Sequence, residues 1–352
     1  MIQVGGAPIV TLRQAGEGIV EAQVAPGRGM LLLQAHARRT AGDAAFPILA
    51  SPPLEALPAA LDQATDDFAG NASFSLGGAV LLPYANRITG RALEATREIL
   101  AQIDGAPVRL PRNWGGKASG ATHYAMHGLT LSTPFQVEQP DSATLVGRLR
   151  NWNFGGYWRG RADIEIRWRL TSGGLELGVE VLNSGDEAFP VGIGWHPWFV
   201  FPSANRSQAQ LSLPARSRLA VNDYDEVLPT GELRPVPGTP YDFRRGAALG
   251  DLYLDDCFVE LDRTPSGDVV LEARDPAAGY GVRLATSSPG VRAIQVYAPP
   301  DRPLVALEPQ FNWADPYGEV WPPETDTGMV RLAPGQSTTY KVRTEVLDLR
   351  QA

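Results

Sequence analysis

The sequence predicts an all-β protein, a large antiparallel β-sandwich built as one domain over residues 1–352. Apolar and polar residues alternate with a period of two in several separated runs. The 37 glycines and 30 prolines punctuate short runs in the manner of turns between strands, and no segment carries a long helical apolar stripe. At about 150 residues per domain the length would admit two domains, but no linker-like shift in composition divides the chain, and large all-β structures often use this length as one.

Taken in chain order, Glu55 to Phe68 and Arg91 to Ile103 have the composition of short helices, bounded by prolines and glycines, and are read as excursions from a sheet structure. Asp104-Gly105 is a hairpin turn signal. The clearest strand follows: Ile164, Ile166, Trp168 and Leu170 alternate with Asp163, Glu165, Arg167 and Arg169. After Thr171-Ser172-Gly173-Gly174, the period resumes with Leu175, Leu177, Val179 and Val181, so the two runs predict an antiparallel hairpin. Two-residue periods recur near Val269 to Ala273, Val291 to Tyr297 and Thr338 to Val346.

Composition narrows the function. Hydrophobic residues at 43% and charged residues at 20% suit a globular protein with a true core. A net charge of -8 and a pI near 5.2 repel phosphate backbones and anionic lipid, so neither nucleic acid nor a membrane is an expected partner. The lone Cys257 has no second cysteine for an intramolecular disulfide. Met1 to Gln14 lacks the pattern of a signal peptide, and no run has the apolar length of a membrane span, so cytoplasm is the expected compartment.

The four histidines differ in their surroundings. His36 sits beside Arg38 and Arg39 with no polar constellation near it and reads as a surface or satisfied-core residue. His123 and His127 have the spacing of a zinc-binding HExxH helix, but Tyr124 stands where that motif needs glutamate and Gly128 follows at once; no metal is expected. His196 lies in Gly192-Ile193-Gly194-Trp195-His196-Pro197-Trp198-Phe199, where aromatic faces and close backbone approach suit a sugar, and a buried aromatic-core histidine is the equal alternative. Glu308 interrupts the apolar run Val305-Ala306-Leu307-Glu308-Pro309, so it is either at a solvent-facing strand end or held in a site. Arg87 and the pair Asp255 and Asp256 are, taken singly, ordinary ion-pair partners. Gly115 to Ser119 lacks the earlier glycine of a phosphate loop and has Ala118 after its lysine, and Gly192-Ile193-Gly194 lacks the rest of a dinucleotide fingerprint; no cofactor is expected.

In order along the chain, Tyr84-Ala85-Asn86-Arg87-Ile88, Met126-His127-Gly128, Gly155-Gly156-Tyr157, Gly194-Trp195-His196-Pro197-Trp198-Phe199, Leu254-Asp255-Asp256-Cys257-Phe258 and Leu307-Glu308-Pro309-Gln310 resemble the motifs of the aldose 1-epimerase (galactose mutarotase) family. Met126 stands for the family's usual leucine and Trp198 for a common tyrosine, while the Pro- and Ala-rich stretch from Phe46 to Ala69 matches none of these motifs. The resemblance implies a galactose mutarotase-like supersandwich that exchanges the α and β anomers of a free aldose. It implies Glu308 as catalytic base and His196 as catalytic acid, with Arg87, His127, Asp255 and Asn86 binding the sugar, and Asp256 competing with Asp255. It further implies a small monosaccharide as partner, with the chain a monomer or homodimer. Such chemistry needs one base for the C1 hydroxyl and one acid for the ring oxygen, and neither metal nor nucleotide. Three other readings stand beside it: a hexose-6-phosphate epimerase, for which Arg91, Arg97, Arg159 and Arg161 are candidate phosphate ligands; a non-catalytic sugar-binding protein; and a sandwich-fold polysaccharide lyase or hydrolase.

Overall fold

The computed structural model describes residues 2–115 and 123–351. Most of the segment weighed above as a phosphate loop, from Gly116 to Ser119, lies outside the described residues. No helix among them is long and apolar enough to cross a membrane.

Two large antiparallel sheets dominate. The first has nine strands, in the order Gln136–Asp141, Thr144–Trp152, Ala162–Thr171, Gly174–Asn183, Ser337–Asp348, Tyr280–Thr286, Val269–Asp275, Gln210–Ser212 and Ala247–Ala248. Its centre is the hairpin read from the sequence, with Leu170 opposite Leu175 and Thr171 opposite Gly174. Ile164, Ile166, Trp168 and Leu170 point into the core, while Glu165 joins Arg148 and Arg167 on the outer face. The period-two pattern has its cause here: one face of the two hairpin strands meets the core between the sheets and the other faces outward.

The second sheet has eleven strands. Its path runs Pro229–Pro235, Ala215–Val221, Leu254–Leu261, Ala293–Ala298, Leu304–Gln310, Gly194–Val200, Gly78–Leu81, Leu31–Arg38, Gly18–Ala25 and Val10–Arg13, with Phe46–Pro47 paired to Leu31–Arg38. The main core lies between the sheets. Trp168 of the first meets Trp195 of the second edge to face at 5.6 Å and donates from Nε1 to the Met30 carbonyl at 2.9 Å. His36 lies in Leu31–Arg38, 3.6 Å from Glu21.

One expectation is corrected. Arg91 to Ile103 is not helical: it forms strands Arg91–Leu93 and Glu98–Ile103, the second paired with Ala106–Pro111 across Asp104-Gly105. Ile99, Ala101 and Ile103 are buried and Gln102 exposed, a period of two that the hairpin turn enforces against helix-compatible composition. In Glu55 to Phe68 the helix is only Leu57–Leu61, which buries Leu57 and Leu61 one turn apart; beyond it Asp62 and Asp67 both pair with the buried Arg28.

Candidate active site

Four neighbouring strands of the larger sheet bring together residues from four parts of the sequence. Gln295 stands opposite Glu308 on the adjoining strand. The pairs Gly194 with Gln310 and Trp198 with Ala306 bracket His196 and Glu308, setting them level. Asp255 faces Tyr297 on the far side of that group. The remaining residues arrive on a small ladder in which Met126 pairs with Arg87.

Local backbone geometry fixes that ladder. Asn86 and His127 hold φ of 60° and 61°, in the left-handed region that asparagine and histidine enter more readily than most residues. Each secures the other, for the His127 N–H donates to the Asn86 carbonyl at 2.8 Å and the Asn86 N–H donates to His127 Nδ1 at 3.2 Å. Asn312 clamps the preceding residue, accepting from the Ala85 N–H at 3.0 Å and donating to the Ala85 carbonyl at 2.8 Å. Gly192 is needed for this clamp, since a Cβ there would collide with Asn312 Oδ1.

The resulting cavity, about 250 Å³, is lined by Phe74, Ser75, Asn86, Arg87, Trp114, Met126, His127, His196, Trp198, Asp255, Gln295, Tyr297, Arg302 and Glu308. Glu308, His196, Arg87, His127, Asp255 and Asn86, the residues that the resemblance assigns to the site, all line it. A larger depression of about 660 Å³ lies on the outer face of the nine-stranded sheet among Glu165, Arg167, Glu176, Lys341 and Arg343, and offers no histidine and no buried acid. The smaller cavity holds the buried histidines and acids.

At its floor His196 Nε2 lies 3.3 Å from Glu308 Oε1, with both side chains buried. Neither Glu308 Oε2 nor His196 Nδ1 has a hydrogen-bond partner among the described residues. Burial raises the Glu308 carboxyl well above its ordinary range; Asp255 adds to the rise and Arg87 opposes it. Burial likewise pushes His196 down to about 4, against a small opposing effect of its own backbone carbonyl. The sequence reading assigned a carboxylate and an imidazolium. Burial favours a carboxylic acid beside a neutral imidazole, which carries the same single proton on the other partner.

His127 is held below the ordinary imidazole range by burial, then by His196 and Arg87. Its Nδ1 accepts from a backbone N–H, so the neutral ring carries its proton on Nε2 and is a donor there. The ligand-type atoms of His127, His196 and Glu308 lie within 4.8 Å of one another. A donor Nε2 offers no lone pair to a cation, so this tautomer suits a sugar oxygen better than a metal. His123 is exposed and precedes strand Ala125–Met126, so it does not share a helix face with His127.

The double aspartate divides. Asp255 lines the cavity and accepts from Gln295 Nε2 at 2.8 Å, and Gln295 Oε1 accepts from Asn86 Nδ2 at 2.9 Å. Asp256 points away and pairs with Arg218 at 2.5 Å and the Tyr224 hydroxyl at 2.9 Å. Sequence reasoning missed Gln295, although it is a lone polar residue between Ile294 and Val296, the same signal that marked Glu308. It also missed Phe74, Trp114, Tyr297 and Arg302, which carry no local pattern. Arg91, Arg97, Arg159 and Arg161 do not line the cavity: Arg97 lies over Phe68, Arg159 pairs with Glu187, and Arg161 donates to the Asn151 carbonyl.

Known proteins point the same way. Protein YphB of Escherichia coli, an uncharacterized protein, is 28% identical over 277 residues, 76% of this chain and 82% of that one. Human galactose mutarotase is 25% identical over 221 residues, 60% of this chain and 61% of that enzyme. The crystal structure of a putative aldose 1-epimerase from E. coli superposes with a TM-score of 0.69 at 20% identity, covering 96% of this chain and 98% of that one. A galactose mutarotase-like protein from Clostridium acetobutylicum gives 0.72 at 18% identity, covering 96% and 95%; at such identities the likeness speaks for the fold. The sequence profile of the Aldose 1-epimerase family matches residues 58–345, and the chain belongs to that family.

Proposed function

We propose that this protein is an aldose 1-epimerase that interconverts the α and β anomers of a free monosaccharide, with Glu308 and His196 as its proton-transfer pair. The observation that carries this reading is the 3.3 Å contact between two buried, otherwise under-partnered titratable groups on the floor of a sugar-sized cavity. A volume of about 250 Å³ lies just below the roughly 300–1,000 Å³ of sites for drug-sized ligands and suits one ring rather than a polymer. Trp198, Phe74 and Tyr297 offer apolar faces to the sugar's C–H surface, and Asn86, Gln295, Asp255 and His127 offer hydrogen bonds to its hydroxyls.

In the reaction Glu308, as carboxylate, takes the C1 hydroxyl proton while His196, as imidazolium, gives one to the ring oxygen. The bond between C1 and that oxygen breaks and leaves an open-chain aldehyde. Rotation about C1–C2 presents the other carbonyl face, and the reverse transfers close the ring with inverted C1. The ionised form needed here differs from the neutral pair that burial favours by one proton shift along the 3.3 Å contact. A hydroxyl donating to Glu308 and a ring oxygen accepting from His196 both favour that shift.

Polarimetry on freshly dissolved α-aldoses, with and without a 6-phosphate, tests the reading. Accelerated approach to anomeric equilibrium with at least one free aldose is expected. Acceleration confined to phosphorylated sugars would move the assignment to the hexose-6-phosphate reading, and binding of free sugars without acceleration would leave only a sugar-binding protein.

A further inference from the structure

We propose that Glu226 and Tyr124 form a latch that positions Arg87 for the sugar by holding Val227 in a backbone conformation it would otherwise leave. The proposal rests on the epimerase reading, in which Arg87 contacts substrate.

Arg87 is buried, and the residues that hold its guanidinium include backbone carbonyls of a loop far away in sequence. Its Nη1 donates to the Glu226 carbonyl at 3.2 Å and to the Val227 carbonyl. Both carbonyls face Arg87 because Val227 has φ of 58°. A β-branched residue is a true outlier there, since its side chain crowds the backbone in the left-handed region. Such a conformation persists only where surrounding contacts over-determine it.

Those contacts are visible. Glu226 Oε1 accepts from the Tyr124 hydroxyl at 2.7 Å, and Oε2 accepts from Asn222 Nδ2 at 2.9 Å. The N–H groups of Asp225 and Glu226 both donate to Asp223 Oδ1, closing the turn on the other side. Tyr124 is itself tied to the cavity wall, for its N–H donates to the Trp114 carbonyl at 2.7 Å, and the Trp114 ring lies 4.8 Å from the Arg87 guanidinium carbon. The hydroxyl-to-carboxylate bond therefore joins the two segments that grip Arg87, one through Trp114 and one through the carbonyls. The Val227 N–H also donates to the Asp223 carbonyl at 3.1 Å and the Leu228 N–H to Asn222 Oδ1 at 2.9 Å, so the turn closes on itself, and the Tyr124 bond is what ties it to the cavity wall; without that tie the hold on the positive φ of Val227 weakens and its carbonyl can turn away. Glu226 is a positioning residue: its side chain meets Tyr124 and Asn222 and acts on the sugar only through Arg87.

The test combines kinetics with a structure. Tyr124→Phe and Glu226→Ala should each lower kcat/KM about tenfold, with the double variant no worse than Glu226→Ala alone because the contact that Tyr124→Phe removes is already lost there. Glu226→Gln keeps an acceptor for the hydroxyl and should stay within about twofold of wild type. Val227→Gly should restore most of the activity of Glu226→Ala, since glycine holds positive φ without strain. In an Arg87→Ala background Glu226→Ala should change nothing further. A general structural role would also be served by Glu226→Gln but would not be rescued by Val227→Gly. The crystal structure of Glu226→Ala reads the latch without any assay: negative φ at Val227 and a displaced guanidinium support it. An unmoved Val227 and Arg87, an unchanged kcat/KM in Glu226→Ala, or a loss that Val227→Gly leaves in place overturns it. Absence of epimerase activity in the wild type would instead count against the functional reading, with the latch still decided by the structure.

Discussion

Asp256 and Glu308 are carboxylates of one sheet, on strands separated only by Ala293–Ala298, and both are essentially inaccessible to water. Asp256 has its oxygens occupied by Arg218, the Tyr224 hydroxyl and the N–H of Asp255, and Arg218 in turn lies 3.8 Å from the Tyr241 ring. Glu308 has His196 at 3.3 Å and an oxygen without a hydrogen-bond partner among the described residues. Burial raises both carboxyls. Arg218 leads the opposition at Asp256, whereas at Glu308 Asp255 adds to the rise and Arg87 alone resists. A carboxylate with both oxygens bound helps hold the fold in place; in the proposed reaction, a group left short of partners keeps a proton that a substrate can compete for.

Variants can break this contrast. The largest effect is expected at the under-partnered pair: Glu308→Gln and His196→Asn should each lower kcat by about 10²–10⁴-fold, and the double variant should lose far less than the product because the two groups work in one cycle. Near-normal anomer exchange in both folded variants would end the proton-pair assignment. Arg218→Ala should do the reverse, destabilising the protein by about 3–5 kcal/mol because Asp256 is left buried and unpaired. Denaturant unfolding measures it, and a stability loss under about 1 kcal/mol would show that the satisfied cluster is not what anchors this strand. Asp255→Ala and Arg87→Ala fall between the two, each expected to weaken transition-state stabilisation by about 1.5–3 kcal/mol in kcat/KM if a charged hydrogen bond to the sugar is lost. Loss in Asp256→Ala alone, with Asp255→Ala unaffected, would reverse the division made here between the two aspartates.

The same contrast explains what was legible in the sequence. Glu308 was visible because one acid interrupts an apolar strand, and the Ile164 to Val181 hairpin because period-two burial writes itself into residue type. Arg91 to Ile103 misled because its composition suits a helix and only the pairing across Asp104-Gly105 decides it. Nothing local separates Asp255 from Asp256. Alternation puts them on opposite faces of one strand, and which face meets the cavity is set by Arg218 and Tyr224, more than 30 positions away. Gln295 needed strand register as well as pattern, since its place opposite Glu308 exists only once the two strands are paired. Of the aromatic walls, Phe74 arrives on the short 3-10 helix Asn71–Ser75 and Trp114 on an isolated bridge, where no period announces them.

The smallest predicted effect, one of stability, follows from where the pair's proton rests. The proposed mechanism requires one proton on the pair, so the rate should rise as pH passes the His196 region near 4 and fall as the Glu308 proton is lost above the ordinary carboxylate range, both limbs belonging to the coupled pair. The sign for stability is opposite to that of a salt-bridged acid. Folded Glu308 keeps its proton to higher pH than the unfolded chain does, so between the two pKa values the native state binds more protons and stability falls with rising pH. Glu308→Gln removes this liability while keeping size and shape. Its thermal midpoint should equal that of wild type at acid pH, where both states hold the proton. It should move above wild type as pH rises past the unfolded carboxyl's value near 4.3, the gap growing until the folded pKa is passed. Melting both proteins across that range decides it: a variant less stable at neutral than at acid pH, relative to wild type, would mean that Glu308 is ionised and compensated in the native state, and that the contrast with Asp256 is one of geometry alone.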